Sequence, residues 1–218
     1  MKSKKKKLNI LFEDKNIIIV NKPSGLLTIR TDNSFEKNLY SEVFDYIHKK
    51  NKNNKIFIVH RLDRDTTGIV VFAKSEQVKH TLQDNWDDTR REYVALVHGK
   101  TKEYDIIKSY IAETKTFFSY STNKSSEGKY AETEYELVKN NKQYSLIRIN
   151  IKTGRKNQIR VHMKDNNTPI VGDRKYGKKD NSRKMLLIAN KISFTHPVTK
   201  EKIDIEIPVP KEYEELVK

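Results

Sequence analysis

Cysteine is absent from this 218-residue chain, which removes disulfides, thiolate catalysis and cysteine-ligated zinc or iron–sulfur centres together. No P-loop and no dinucleotide-binding glycine fingerprint occurs. No apolar run approaches the length of a membrane-spanning helix. The basic start resembles the first part of a secretion signal, but Leu8-Asn9-Ile10-Leu11-Phe12 is halted by Glu13-Asp14. That segment is too short for a signal core and no small-residue cleavage site follows. The expected location is therefore the cytoplasm. Internal repeats and linkers are also lacking, which points to one domain.

Acidic residues are the other shortage. Forty-four lysines and arginines face 29 aspartates and glutamates, a net charge of +15. Five lysines fall within residues 1–7, so the rest of the chain still carries +10. Such an excess favours a polyanion partner over a membrane surface, because the basic residues do not lie opposite a long apolar helix face. Residues 1–7 read as a disordered basic tail, residues 8–212 as one catalytic domain, and residues 213–218 as the chain end.

The apolar pattern predicts an α+β domain with a mixed, largely antiparallel central sheet flanked by helices and loops. Ile17–Val20 reads as a buried strand closed by Asn21-Lys22-Pro23-Ser24-Gly25. Leu39, Val43 and Ile47 form one helical face between Ser34 and Lys49. Ser75 is placed to cap a helix with a Val78, Leu82, Trp86 stripe. Glu92–His98, Ala131–Leu137, Tyr144–Ile151, Leu186–Phe194 and Ile203–Ile207 read as strands, and Arg155–Lys164 as a short helix with Ile159 and Met163 one turn apart.

Between the apolar runs Ile56–Val59 and Ile69–Ala73 lies His60-Arg61-Leu62-Asp63-Arg64-Asp65-Thr66-Thr67-Gly68. Two carboxylates alternating with two arginines at the mouth of buried strands are costly unless paired, so the cluster marks a candidate site. If Arg61-Leu62-Asp63 is extended, Arg61 and Asp63 project to one side and Leu62 packs beneath them. A structural ion pair or an Asx turn fits these residues as well, and Asp65 before Thr66-Thr67-Gly68 suits turn capping. A second charged element runs from Thr153 to His162, where Arg155 and Arg160 at a helix start suit an anion or a solvated basic face. A third, Pro169–Gly177, is a Gly-bounded basic loop whose Lys175 either tracks a phosphate backbone or is merely exposed.

Taken together and in this order, these elements resemble the RluA-type RNA pseudouridine synthases. The nine-residue turn is similar to that family's catalytic motif. Ile10–Asp14 and Val20–Leu26 resemble its N-terminal motif, Arg91-Glu92-Tyr93-Val94-Ala95-Leu96-Val97 its central tyrosine motif, and Thr153–His162, Pro169–Gly177 and Phe194-Thr195-His196-Pro197 its late motifs. The resemblance spans roughly residues 8–210, and leaves no room for the S4-like RNA-binding module that many relatives carry ahead of it.

The resemblance implies an enzyme that isomerises uridine in RNA by breaking the N1–C1′ bond, turning the base and rejoining it through C5. It implies no metal, nucleotide or redox cofactor. By the same carry-over Asp63 is the essential carboxylate, as covalent nucleophile or as base. Tyr93 stacks on the uracil and takes the C5 proton, Arg160 pairs with Asp63 and orients it, and Ile159 walls the base. Arg61 fills the space left by the extruded nucleotide, while His60 and Arg64 contact RNA or buttress the turn. His162 and His196 read as hydrogen-bonded structural histidines. Thr67 stands where serine is commoner, and Lys156-Asn157 replaces a more usual Thr-His pair, a change expected to alter RNA contacts. The expected partner is ribosomal RNA first and transfer RNA second, bound by a monomer. Two rivals remain: a metal-dependent nuclease built on His60, Asp63 and Asp65, and a non-catalytic RNA-binding or ribosome-assembly protein of the same fold.

Overall fold

The computed structural model describes residues 8–30 and 37–218. The Lys-rich tail and the stretch around Ser34, where the first helix was expected to begin, lie outside them. Eleven strands form one sheet: β1 (Ile10–Glu13), β2 (Ile17–Lys22), β3 (Phe57–Ile58), β4 (Thr67–Ala73), β5 (Arg90–His98), β6 (Tyr104–Glu113), β7 (Ser119–Thr122), β8 (Lys129–Asn140), β9 (Tyr144–Ile151), β10 (Leu187–Thr195) and β11 (Lys202–Glu206). Four helices accompany them: α1 (Leu39–Lys50), α2 (Glu76–Asp84), α3 (Gln158–Asp165) and α4 (Lys211–Glu215). The strand order is β1-β2-β4-β10-β5-β9-β8-β6-β7, with β11 on β10 and β3 on β4. Every pairing is antiparallel except β4–β10, which gives the mixed, largely antiparallel sheet expected of the α+β class.

The central strands are apolar on both faces because both faces are covered, and alternate residues feed opposite cores. Ile18, Val20, Val70, Phe72, Ala95 and Ile147 pack with Leu39, Val43 and Ile47 of α1 and with Ile159 and Met163 of α3. Ile17, Ile19, Ile69, Val71, Val94 and Leu96 pack with Val78 and Leu82 of α2. Tyr213 and Val217, at the chain end, are buried in that second core. Each fully buried aliphatic side chain stabilises the fold by about 1.5–3 kcal/mol.

Boundaries differ from the sequence pattern where side chains capture backbone groups. Asn38 starts α1: its side chain accepts from the Ser41 amide at 3.0 Å, and the Ser41 hydroxyl returns a bond to the Asn38 carbonyl at 2.7 Å. Ser75 caps α2 as expected, accepting from the Val78 amide at 3.2 Å. That helix ends at Asp84, where Asn85 donates its side-chain amide to the Thr81 carbonyl at 2.7 Å. Trp86 therefore sits in a short 3₁₀ turn rather than on the α2 stripe, against the His60 ring at 4.7 Å. The run Ile56–Val59 supplies only the two-residue β3. Strands β1, β6 and β7 were not expected; β6 exposes Tyr104 and Ile106 and lacks a clean apolar face.

One glycine is demanded by the sheet. At Gly68, φ is +118° and an added Cβ would lie 2.2 Å from the Ala189 carbonyl oxygen. It stands where β4 leaves the charged turn and meets β10 in the single parallel pairing, Gly68 opposite Ala189. Only a residue without a side chain permits that approach.

His162 is wholly buried, with Nδ1 bonded to the Thr133 hydroxyl at 2.8 Å and Nε2 to the Ser109 hydroxyl at 2.9 Å. His196 is equally buried: Nδ1 accepts from the Thr199 amide at 2.9 Å and Nε2 lies 2.9 Å from Asp14. Both are structural histidines. Burial pushes the His162 pKa down to about 4, and burial with the nearby Arg91 charge pushes His60 down to about 3. An unfolded histidine takes its proton near pH 6.5, so below that pH the unfolded state binds more protons and stability falls. The stability is present above pH 6.5 and is lost as pH drops toward 4. Urea unfolding at pH 7.5 and pH 5 should differ by ~2 kcal/mol through His162. Equal stabilities at the two pH values would rule this out.

Candidate active site

The charged turn is seated on the segment that follows β2. Thr28 grips Leu62 twice: its hydroxyl accepts from the Leu62 amide at 3.1 Å and donates to the Leu62 carbonyl at 2.8 Å. Leu62 is buried beneath the exposed Arg61 and the half-buried Asp63, as an extended Arg-Leu-Asp requires. Lys22, wholly buried at the end of β2, donates to the carbonyls of Pro23 (3.1 Å), Leu26 (2.7 Å) and Arg64 (2.8 Å). All three ammonium protons are thereby used, which offsets the cost of burying the charge. Burial lowers the Lys22 pKa to about 8 against the opposing pull of Asp63 and Asp65. Ser24 donates to the Asp65 carbonyl at 3.0 Å, and Arg64 donates through Nε to the Gly25 carbonyl at 3.2 Å. Two turns 40 residues apart in the chain thus hold each other.

Above this seat a cleft is lined by Arg61, Leu62, Asp63, Thr66, Tyr93, Ile151, Gly154, Arg155, Asn157, Gln158, Ile159, Arg160 and Leu187. Strand β5 brings in Tyr93, which is buried on the sheet between Ala189 of β10 and Ile149 of β9. Burial raises its pKa to about 12, so the phenol is neutral at physiological pH. Ile159 and Arg160, in the first turn of α3, complete the wall.

Helix α3 begins at Gln158 and not at Arg155. The Gln158 side chain is the reason. Its carbonyl oxygen accepts from the Arg155 amide at 3.0 Å and the Thr153 hydroxyl at 2.7 Å, while its amide donates to the Glu132 carbonyl and the Thr133 hydroxyl. Asn157 enters the helix with a left-handed backbone, φ 56°, which asparagine tolerates. Arg155 and Arg160, read as an anion site or a solvated basic helix face, line one cleft in different environments. Arg155 is exposed and donates to the Tyr130 carbonyl at 2.8 Å, whereas Arg160 is buried and turned inward.

Arg160 is the hub of the site. Its Nη1 donates to Asp63 Oδ2 at 3.3 Å, across 97 residues of chain, and to Asn157 Oδ1 at 2.8 Å. Its main partner is Asp173, held in a two-point fork: Nε to Oδ2 at 2.7 Å and Nη2 to Oδ1 at 2.8 Å. Asp173 also accepts from the amides of Lys175 (2.9 Å) and Tyr176 (3.0 Å). Burial works to lower the Arg160 pKa, but the hydrogen bonds and charge of Asp173, then the charge of Asp63, outweigh it and the shift is upward. Burial likewise works to raise the Asp173 pKa, and the Arg160 bonds reverse it. The guanidinium lies 5.0 Å over the Tyr176 ring.

Asp63, Tyr93, Arg160, Ile159, Arg61 and Arg155 therefore share one cleft. His60 does not: its Nε2 accepts from the Val71 amide at 3.1 Å and its ring rests on Trp86, so it buttresses the turn and forms no cluster with Asp63 and Asp65. Among the described residues no group of three His, Asp or Glu side chains is disposed to hold a metal ion. Arg64 is exposed and does not line the cleft, and Lys175 donates to the Phe117 carbonyl at 3.0 Å. Asn157, expected to bear on RNA contacts, is buried and joined to Arg160. Asp173 and Lys22 were missed as site residues. The signal for Asp173 was a lone acid after Gly172 in an otherwise basic loop.

A family model described as RNA pseudouridylate synthase matches residues 16–165. An uncharacterized RNA pseudouridine synthase of Mycoplasma genitalium is 34% identical over 212 residues, which cover 93% of this chain and 67% of that protein. Ribosomal large subunit pseudouridine synthase D of Borreliella burgdorferi is 37% identical over 190 residues, 82% of this chain and 57% of that protein. The chain thus spans about three fifths to two thirds of the length of these relatives. Among solved structures, human RNA pseudouridylate synthase domain containing 4 shares the fold at a TM-score of 0.78 and 21% identity, covering 94% of this chain and 90% of that one.

Because Asp173 carries most of the neutralisation of a buried guanidinium, Asp173→Ala should lower the unfolding free energy by ~3 kcal/mol. Urea denaturation checks this, and a loss below ~1 kcal/mol would contradict the anchoring of Arg160 by Asp173.

Proposed function

The chain belongs to the RNA pseudouridylate synthase family, and on that premise we propose that it converts specific uridines of structured RNA to pseudouridine through Asp63. The observation that carries the assignment to Asp63 is the unequal sharing of Arg160. Asp173 is saturated by four hydrogen bonds. Asp63 receives one long one and is half-exposed to the cleft. The first carboxylate is structural; the second keeps lone pairs for the substrate.

In this reading Asp63 supplies the anionic oxygen toward the sugar, as nucleophile or as base, and Arg160 orients it without neutralising it fully. Tyr93 stacks on the uracil against Ile159. Its neutral phenol takes the C5 proton only as its own hydroxyl proton passes to water in the cleft. A uridine in a stem must leave the stack to reach so recessed an aspartate. Arg61, exposed on the rim, is the residue we assign to the vacated space, with Arg155 and Lys175 meeting phosphates. Reaction without a metal or organic cofactor is part of the proposal, as are a monomeric state and work in the cytoplasm.

Ribosomal RNA is the proposed substrate, with transfer RNA second. A relative named for the ribosomal large subunit supports that order. The decisive measurement is pseudouridine formation in large-subunit ribosomal RNA in the presence of EDTA. Wild type should turn over, and Asp63→Asn should lose activity by at least about 10⁴-fold while still binding RNA. Measurable turnover by Asp63→Asn would remove Asp63 from the mechanism, and loss of wild-type activity in EDTA would restore a metal-dependent reading.

The basic residues 1–7 are proposed as phosphate contacts. Deleting them should weaken RNA binding and flatten its dependence on salt, since each released counterion contributes to the slope. An unchanged slope in a salt titration would leave the segment without that role.

A further inference from the structure

The connection between β6 and β7 places a phenylalanine where the backbone favours glycine. The Phe117 amide donates to the Thr114 carbonyl at 2.9 Å, the Thr114 amide to the Phe118 carbonyl at 2.8 Å, and the Phe118 amide to the Thr114 hydroxyl at 3.1 Å. These bonds close a tight turn whose last position is left-handed, and Phe117 occupies it at φ 61°. Glycine is the ordinary residue there, and a bulky side chain at positive φ is an outlier that asks for a reason. Burial is not the reason, because Phe117 is 69% exposed.

Two lysines stand at this tip, one of them over the ring. Lys156 Nζ stands 5.1 Å from its centroid and is also ion-paired to Glu113. Lys175 donates to the Phe117 carbonyl and lies 5.2 Å over the adjacent Phe118 ring. The tip is tied to the catalytic cleft. Phe118 packs on Tyr176 at 4.9 Å, and the Ser119 amide donates to the Tyr176 hydroxyl at 3.0 Å. The Ser119 hydroxyl accepts from Asn157 at 3.1 Å, and Asn157 in turn holds Arg160. Beside the hairpin a groove of about 580 Å³, bordered by Glu113, Gly128, Lys129, Arg155 and Lys156, shares Gly154 and Arg155 with the cleft.

We propose that Phe117 is a stacking platform for an unpaired base of the RNA substrate next to the target uridine, with Lys156 and Lys175 meeting the flanking phosphates. An exposed aromatic ring with a lysine over its face, on a hairpin next to a basic groove, is the arrangement that binds single-stranded nucleic acid without reading its sequence. The inference rests on the RNA substrate proposed above and adds a contact outside the reacting centre.

Because the strain and the contact sit on one residue, substitution separates them. Phe117→Gly relieves the left-handed strain and removes the ring; Phe117→Tyr keeps the ring. The glycine variant should unfold at an equal or higher urea concentration. It should bind a single-stranded oligouridylate about tenfold more weakly and show a KM for the ribosomal RNA transcript raised by about the same factor, with kcat held. Phe117→Tyr should restore both. Unchanged Kd in the glycine variant, or a lowered unfolding midpoint, would overturn the proposal, the latter by showing that Phe117 packs rather than binds. Wild-type protein that binds the oligonucleotide but forms no pseudouridine would refute the functional reading alone, and the oligonucleotide arm would still decide Phe117.

Discussion

The buried guanidinium of Arg160 is the constraint on which the rest of the site depends. A cation taken out of water must have its protons met, and the four bonds to Asp173, Asn157 and Asp63 meet them from three segments of chain. Asp173 can do its part only because the turn that follows it offers two amides to the same carboxylate. Asn157 can do its part only in a left-handed backbone that ends the approach to α3. The start of α3, the late basic loop and the β6–β7 hairpin are thus linked through one side chain, the hairpin by way of Asn157 and Ser119.

Two carboxylates around one cation divide into unlike roles through access and bond count alone. Asp173 is dry and saturated, so its charge is spent on structure. Asp63 is on the open side with a single long bond. Beneath it Lys22 adds a second buried cation, bonded to carbonyls rather than to carboxylates, so it holds the turn and contributes field without capturing the acid. On the proposed role of Asp63, this separation between holding and reacting groups is what a preorganised site requires.

Much of this was legible in the chain. The continuous apolar runs of β2 and β4 announced strands buried on both sides, and the four-residue spacing of Leu39, Val43 and Ile47 announced α1. Asp63, Tyr93 and Arg160 stood out by motif, and they meet in one cleft. The errors have local causes. Side-chain caps from Asn85 and Gln158 moved helix ends that periodicity alone could not locate, which removed Trp86 from α2 and Arg155 from α3. Strands β6 and β7 were missed because a half-exposed hairpin rich in charge carries little alternation. Phe117 was invisible because an aromatic residue in a turn says nothing until its φ and exposure are known.

The sequence by itself determined the class of fold and the strands and helices that build its core, since these follow from periodicities and residue types that are local, and its motifs named the residues proposed to react. Only the tertiary structure decided which carboxylate is held and which is left open, that Asn157 serves Arg160, and that His60 accepts from the Val71 amide instead of entering the cleft. Those outcomes depend on which lone pairs and protons find partners, and the partners come from segments as far as 97 residues away. Hydrogen-bond satisfaction is a property of the closed network, and no stretch of chain carries it alone.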